Sequence, residues 1–210
     1  MALACAQVAL LNVPKAQCAE DVQRVAAALE HAERRNRVER PIGLLVNIET
    51  ARGLRLAAEI AGAHPRVAGL QLGLADLFES LNIDRDDPAN VHTTMYAMRM
   101  ACAESGRFAY DSAYPDVLDA DGFRREAEQA RKLGYVGKSC IHPRQVALAN
   151  EIFGSEALDL ATARRIVAAA QAAAHNGRGA FLLDGRMIDL PHIKRAQAVL
   201  AEASTTSDRQ

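Results

Sequence analysis

The feature that most constrains this chain is a rhythm. Short apolar runs rich in Val, Ile and Leu cover residues 8–13, 42–48, 67–72, 108–110 and 135–141. Each is followed by a longer amphipathic segment, at residues 19–35, 53–63, 90–104, 122–133 and 143–153. The runs mostly do not alternate apolar with polar, which predicts strands buried on both faces. Strand alternating with helix predicts βαβ units, a parallel sheet and an α/β fold class. Asp121-Gly122-Phe123 and His142-Pro143 read as helix starts, because Pro is tolerated in a first helical turn.

The rhythm stops near residue 154. Beyond it the pattern predicts two helices, at 159–174 and 191–203. The second carries Ile193, Ala196, Val199 and Leu200 along one face. Between them stand the turn cluster Asn176-Gly177-Arg178-Gly179 and a short apolar run at 180–183. Residues 1–154 therefore read as one body and 155–210 as a separate C-terminal helical arm. The polar end, 205–210, reads as disordered. Five strand–helix units are too few for an eight-stranded (β/α) barrel, which takes at least roughly 200 residues. The body is either an open five-stranded sheet or a partial barrel of about five units, and composition does not decide between them.

Composition narrows the classes of function. The chain is 50% hydrophobic, enough for a core, and carries 25 Lys+Arg against 26 Asp+Glu. That balance argues against a nucleic-acid partner, which calls for a basic excess. The mixed run Glu33-Arg34-Arg35-Asn36-Arg37 reads as a solvated helix end. No apolar run approaches the roughly 18–20 residues of a membrane span. The apolar start, residues 1–11, lacks a basic leader and is not read as a signal peptide. Cys5, Cys18, Cys102 and Cys140 are scattered, with no C-x-x-C pair. They read as reduced thiols of a cytoplasmic protein rather than a zinc ribbon or disulfide scaffold.

Two acidic residues stand out by position. Glu49 follows the run 44–48, at the C-terminal end of a predicted strand, and Asp76 lies just past the next one. One βα unit separates them, so adjacent parallel strands place both carboxylates on one face. In barrels that face carries the active site. Converging carboxylates repel unless a cation or proton intervenes. Mg²⁺, which takes one or two carboxylates and leaves other positions to water and substrate, is a natural filler. Plainer readings stand beside this one: Asp76 as a cap for a helix at 77–81, and Glu49 paired with Arg52 or Arg55.

Five stretches add a resemblance. Ile48-Glu49-Thr50-Ala51-Arg52-Gly53 resembles the I-E-T-x-x-G segment of the HpcH/HpaI aldolase and citrate lyase β-subunit superfamily. Gly73-Leu74-Ala75-Asp76-Leu77 is similar to its G-x-x-D-L segment, and Tyr110-Asp111-Ser112-Ala113-Tyr114-Pro115-Asp116 to I-D-x-x-Y-x-D. Residues 137–145, GKSCIHPRQ, resemble G-K-x-C-I-H-P-x-Q, and residues 184–189, DGRMID, resemble D-G-x-M-I-D. Each is weak alone. Together they fall in the family's order and span nearly the whole chain. Malyl-CoA, citramalyl-CoA and citryl-CoA lyases are the nearest members by this resemblance.

The resemblance implies a Mg²⁺-dependent carbon–carbon lyase that cleaves a 3-hydroxyacyl-CoA to an oxo acid and an acyl-CoA. It implies Glu49 and Asp76 as metal ligands, and Asp189 as the acid/base on a lid over a neighbouring subunit's site. It suggests that the loop 137–142, with Gly137, Lys138 and His142, lies along the CoA. Backbone N–H groups of the loop 73–76, with Gly73, Leu74 and Ala75, are placed to hold the oxo-acid carboxylate, as helix N-termini favour anions. From the residues alone, Asp189 reads as an N-cap ahead of Pro191 and His142 as a helix-entry residue. Lys138, His142 and Tyr114 also have structural readings within the family. A lid acting on its neighbour implies a homo-oligomer, trimer or hexamer, with no membrane partner.

The chain departs from the family in one respect. The family's first third, with three strands, a glycine-containing loop, acidic residues and a substrate-binding arginine, has no counterpart in these 210 residues. Lys15 matches the family's P-K position but is no obvious replacement for that arginine. A start placed too far downstream is the favoured reading, with a completing partner chain or a degenerate relative as alternatives. Two other functions stay in view. One is a truncated, non-catalytic barrel fragment or accessory subunit that binds Mg²⁺ without turnover. The other is an aldolase for free hydroxy-oxo-diacids, against which the D-G-x-M-I-D arm argues. Malyl, methylmalyl, citramalyl and citryl groups are all open, as is hydrolysis of the thioester.

Overall fold

Four parallel strands order the first part of the chain, in the sequence β1-β2-β3-β4 across the sheet. They are β1 (Leu10–Val13), β2 (Gly43–Ile48), β3 (Val67–Leu72) and β4 (Phe108–Tyr110) in a computed structural model that describes residues 4–154, 156–175 and 180–207. Each crossover carries helix: α1 (Ala19–Asn36) after β1, α2 (Ala51–Arg55) and α3 (Ala57–Gly62) after β2, and α4 (Leu74–Glu79) and α5 (Pro88–Glu104) after β3. Helices α6 (Ala120–Lys132) and α7 (Pro143–Phe153) follow β4. In-register pairing sets Val13 beside Val46, and Ile48 beside Leu72. The C-terminal ends of β1, β2 and β3 therefore form one edge. Chain contacts divide the protein into two units, Met1–Phe153 and Gly154–Gln210.

One face of the sheet is dry. Leu44, Val46 and Ile48 of β2, with Val67, Leu70 and Leu72 of β3, are fully buried. They share a core with Val22, Ala26 and Leu29 of α1, Ile60 of α3, and Met95 and Met98 of α5. On β2 the intervening residues Gly43, Leu45 and Asn47 are only half-buried. The run at 42–48 thus alternates in burial although not in hydrophobicity, which corrects the expectation of strands dry on both faces. Local chemistry explains the helices. Asp87 caps α5 by accepting from the Ala89 N–H at 2.8 Å, with Pro88 in the first turn. Glu33, buried at the end of α1, accepts from the Ile42 N–H at 2.8 Å and from both terminal nitrogens of Arg66. That fork ties α1 to the entries of β2 and β3 and holds the Glu33 carboxyl below the usual carboxylate range.

Several expectations are corrected. The fifth run, 135–141, forms no full strand but a single parallel bridge, Asp111 to Lys138. Backbone bonds still follow a parallel course there: Val136 N–H to Ala109 O at 3.0 Å, Asp111 N–H to Gly137 O at 2.8 Å, and Ser139 N–H to Asp111 O at 3.2 Å. The helix expected at 53–63 is two short helices broken at Leu56, whose ψ of 15° leaves the helical range. The helix expected at 77–81 begins earlier, at Leu74, with Gly73 rather than Asp76 at its N-cap.

The second unit is α8 (Glu156–His175), a hairpin of β5 (Phe181–Leu183) and β6 (Arg186–Ile188), and α9 (Leu190–Ser207). Helices α8 and α9 pack together. The hairpin was not expected from the sequence. Its two turn residues, Asp184 and Gly185, both have positive φ, at 52° and 76°. That is the turn Asp-Gly favours, because its twist matches paired strands. Helix α9 continues through residues 205–207, which corrects the expected disordered end there. The turn cluster at 176–179 and residues 208–210 lie outside the described residues. Among the described residues no helix is long and apolar enough to cross a membrane.

Candidate active site

Polar groups gather at the C-terminal edge of the sheet. Glu49, the residue after β2, is 8% exposed. Its Oε1 accepts from Asn47 Nδ2 at 2.8 Å and its Oε2 from the Lys15 N–H at 3.1 Å. It pairs with neither Arg52 nor Arg55 among the described residues, so the ion-pair alternative drops out. Gly73, at the end of β3, lets the side chain lie where it does. A Cβ added there would stand 2.4 Å from Glu49 Cγ, well inside any real contact. Gly73 also donates its N–H to Ile48 O at 2.9 Å, which closes the two strand ends together.

Asp76 sits in the first turn of α4, and its Oδ1 meets Lys15 Nζ at 3.1 Å. Lys15 thus touches both carboxylates, Glu49 through its backbone and Asp76 through its ammonium. Its backbone is left-handed, with φ of 52°, uncommon for a residue with a Cβ. The hydrogen bond to Asp76 and its charge raise the Lys15 pKa above the ordinary lysine value. Glu49 and Asp76 are therefore brought to one face, as their spacing predicted. The cation beside them was noticed in the sequence as Lys15 but given no role. Its position just past β1, matching that of Glu49 past β2, was the available signal.

Two hard oxygen donors fit a hard divalent cation that draws its remaining ligands from water and substrate. Gly73 leaves the space, and Asn47 with the Lys15 N–H fixes the Glu49 carboxylate as an acceptor. Among the described residues no group of three or more His, Cys, Asp or Glu side chains gathers as for a fully protein-caged metal.

The loop at 137–142 behaves differently from expectation. Lys138 is fully buried, with Nζ 2.7 Å from Asp111 Oδ2 and bonded also to Glu126 Oε1. The same nitrogen lies 5.6 Å from the centre of the Phe123 ring. Its side chain is committed to the interior, where it pairs with Asp111 and Glu126. Arg85 completes the cluster with two contacts to Glu126, at 2.7 and 2.9 Å. Burial pushes the Asp111 carboxyl up, only partly opposed by Lys138. Burial also works against the Glu126 carboxylate, but Arg85 and Lys138 outweigh it and hold its pKa down. Sequence reading missed this cluster. Its signal was Glu126 on the same helix stripe as Phe123, Ala127 and Ala130, an acid among core residues.

The neighbouring contacts hold the loops in place. The His142 ring accepts from the Arg144 N–H at 3.2 Å, at the entry to α7, in keeping with a helix-entry role. Buried Gln145 accepts from the Ile141 N–H at 2.9 Å and donates to Tyr114 O at 3.0 Å, joining two loops. Tyr114 donates to Asp119 Oδ2 at 2.7 Å, which lifts its phenol pKa to about 12. Asp119 in turn caps α6 through the Gly122 N–H at 2.8 Å. Gly137 lies against the Tyr110 ring, where a Cβ would come within 2.4 Å. Gly137, Ile141 and His142 keep backbone and ring groups in the loop, while the Lys138 side chain leaves it.

Asp189 belongs to the second unit, between β6 and α9. Its backbone carbonyl accepts from the Ile193 N–H at 3.1 Å, and its Oδ1 lies 2.5 Å from His192 Nδ1. The His192 ring, with the His192 backbone N–H, lowers the Asp189 pKa below the ordinary aspartate value. The residue is thus a helix N-cap with an imidazole beside it.

The fold and this edge define an α/β protein that presents paired carboxylates at neighbouring parallel strand ends, where enzymes of this architecture carry their sites. Comparison with known proteins narrows the class. A profile of the HpcH/HpaI aldolase/citrate lyase family matches residues 2–143. The L-malyl-CoA/beta-methylmalyl-CoA lyase of Cereibacter sphaeroides is 35% identical over 94% of this chain and 68% of its own length. Citrate lyase subunit beta of Escherichia coli K12 is 34% identical over 96% of this chain and 67% of its own. The chain belongs to the HpcH/HpaI aldolase/citrate lyase family. Among solved structures, CitE of Mycobacterium tuberculosis in complex with magnesium, acetoacetate and coenzyme A superposes with a TM-score of 0.71 at 30% identity, over 93% of this chain and 68% of that one. A citrate lyase of Burkholderia xenovorans LB400 has a TM-score of 0.80 at 22% identity, a likeness of fold alone.

Proposed function

We propose that this protein is a Mg²⁺-dependent carbon–carbon lyase for a 3-hydroxyacyl-CoA of the malyl, citramalyl or citryl type. The observation that carries the reading is the pair Glu49 and Asp76, presented at the ends of β2 and β3 and bridged by one lysine. The CitE structure with magnesium, acetoacetate and coenzyme A, and the kinship to malyl-CoA and citrate lyases, support it. In this reading the four-stranded sheet is part of a (β/α) barrel wall.

Mg²⁺ held there would supply Lewis-acid stabilisation of negative charge developing on the substrate's hydroxyl oxygen. Glu49 and Asp76 would hold the ion, and Asn47 with the Lys15 N–H keeps the Glu49 oxygens aimed. The N–H groups of Leu74 and Ala75, in the first turn of α4, have no intrahelical partner and orient the oxo-acid carboxylate. Gly73 contributes room rather than an N–H, because its own is spent on Ile48. The loop with Gly137 and His142 borders the CoA through its backbone and ring. Asp189 moves the proton at the thioester α-carbon, giving it in cleavage and taking it in condensation. A homo-oligomer in which Asp189 serves a neighbouring subunit, and a cytoplasmic setting, complete the reading.

The test is release of glyoxylate or pyruvate from malyl-CoA and citramalyl-CoA, followed by a coupled assay with Mg²⁺ and with chelator. Release should require Mg²⁺ and the thioester, with free malate and citramalate inert. Asp189→Ala should lower kcat roughly 10²–10⁴-fold, the range for a general acid/base. A folded chain that binds Mg²⁺ but releases no oxo acid would sink the lyase and favour an accessory, non-catalytic role. Gly73→Ala, whose methyl would push Glu49 aside, should weaken Mg²⁺ binding about tenfold or more, as lost support of a ligand does. Calorimetric titration with Mg²⁺ reads this, and unchanged affinity would contradict the cradle.

A further inference from the structure

We infer that Lys15 is the substrate-anchoring cation of this site: its ammonium shares Asp76 with the divalent ion and, displaced by it, engages the carboxylate of the oxo acid. The inference rests on the reading of Glu49 and Asp76 as the Mg²⁺ ligands. Three observations carry it. The Lys15 backbone is fixed, with φ of 52° and its N–H held 3.1 Å from Glu49 Oε2, so the stem starts from a set point beside one ligand. Its head lies 3.1 Å from Asp76 Oδ1, on the oxygen set of the other ligand. The side chain is 63% exposed, and among the described residues Asp76 is its one ion-pair partner.

Charge dictates the rest. An ammonium and a divalent cation on the same carboxylate repel at about 4 Å, and the flexible four-carbon stem of lysine is free to turn its head outward. The new partner must be anionic and close to the bound ion, which describes a substrate carboxylate chelated there. The ammonium donates hydrogen bonds only, and no covalent step is assigned to it.

The experiment is calorimetric titration of the full chain, first with Mg²⁺ alone and then with pyruvate at saturating Mg²⁺. The proteins are the wild type, Lys15→Met, Lys15→Arg and Glu49→Ala. Lys15→Met should bind Mg²⁺ up to about fivefold more tightly, because an exposed ion pair no longer competes. The same variant should bind pyruvate roughly 10–100-fold more weakly, the worth of a hydrogen bond to a charged group. In turnover the loss should fall on KM more than on kcat. Lys15→Arg should keep most pyruvate affinity. A purely structural prop for Glu49 would instead weaken Mg²⁺ and pyruvate together. That outcome, or unchanged affinity for both, overturns the inference. Mg²⁺ binding lost in Glu49→Ala with pyruvate binding intact in Lys15→Met overturns the inference alone. Absence of Mg²⁺ binding by the wild type overturns it together with the proposed metal site.

Discussion

Glu49→Ala is expected to abolish Mg²⁺ binding and turnover together while the protein stays folded. Supporting groups around a metal ligand are each worth about 10–100-fold in affinity, so loss of one of two carboxylate ligands should cost at least about 100-fold. The partner carboxylate does not compensate, because Asp76 by itself offers a divalent ion a single charged ligand. The fold should survive. The residues packed beneath, Ile48 and Leu72, are fully buried and untouched by the change. What is lost locally is the acceptor for the Lys15 N–H and for Asn47 Nδ2. Titration calorimetry and a thermal melt read the two effects separately. Mg²⁺ affinity within a few-fold of the wild type would remove Glu49 from the site. Glu49→Gln, which keeps the shape and one oxygen, separates charge from packing and should behave nearly as badly.

Lys138→Met is expected to be among the most destabilising single changes in the protein. Asp111 and Lys138 are fully buried and Glu126 is nearly so. Among the described residues, removing the cation leaves Asp111 with no ion-pair partner and Glu126 with Arg85. Breaking a buried pair by removing one partner typically costs about 3–5 kcal/mol. For a chain of this size that corresponds to a fall of roughly 10 °C in melting temperature. The deficit should depend on pH in a defined sense. Without Lys138, burial raises the Asp111 pKa in the folded state above its unfolded value. The folded state then binds the extra proton, so stability is fully present in acid and is lost as pH rises through the folded pKa. Melts of the variant should therefore approach those of the wild type as pH falls from 7 toward 5. Lys138→Met combined with Asp111→Asn should melt above Lys138→Met at pH 7. A single variant that melts within a degree or two of the wild type would show the cluster to be incidental.

These outcomes bear on how a family motif is to be interpreted. The Gly-Lys stretch at 137–138 was expected to face a ligand, yet its lysine holds the base of the β4 loop to α6 and the Arg85 loop. Asp111 and Tyr114 from the Ile-Asp-x-x-Tyr-like stretch likewise serve as anchors for Lys138 and Asp119. In this chain these stretches supply contacts that tie β4, α6 and the neighbouring loops together.

The sequence by itself determined what depends on near neighbours. Alternating apolar runs and amphipathic segments specified the parallel α/β order, and α7 at Pro143–Phe153 matches its expected span. The placement of Glu49 and Asp76 past successive strands followed from the same periodicity, because parallel strands deliver their C-terminal ends to one edge. The hairpin of β5 and β6 escaped, since three-residue strands carry too little pattern to be told from a loop. Only the tertiary structure decided which charges meet. Lys138 finds Asp111 and Glu126, and Lys15 finds Asp76, across stretches of chain that no local pattern links. The physical reason is that periodicity records which face of an element is dry, whereas the partner of a charge is set by the distance left when several elements pack. A lysine exposed in a loop and a lysine buried under one look alike until that packing is known.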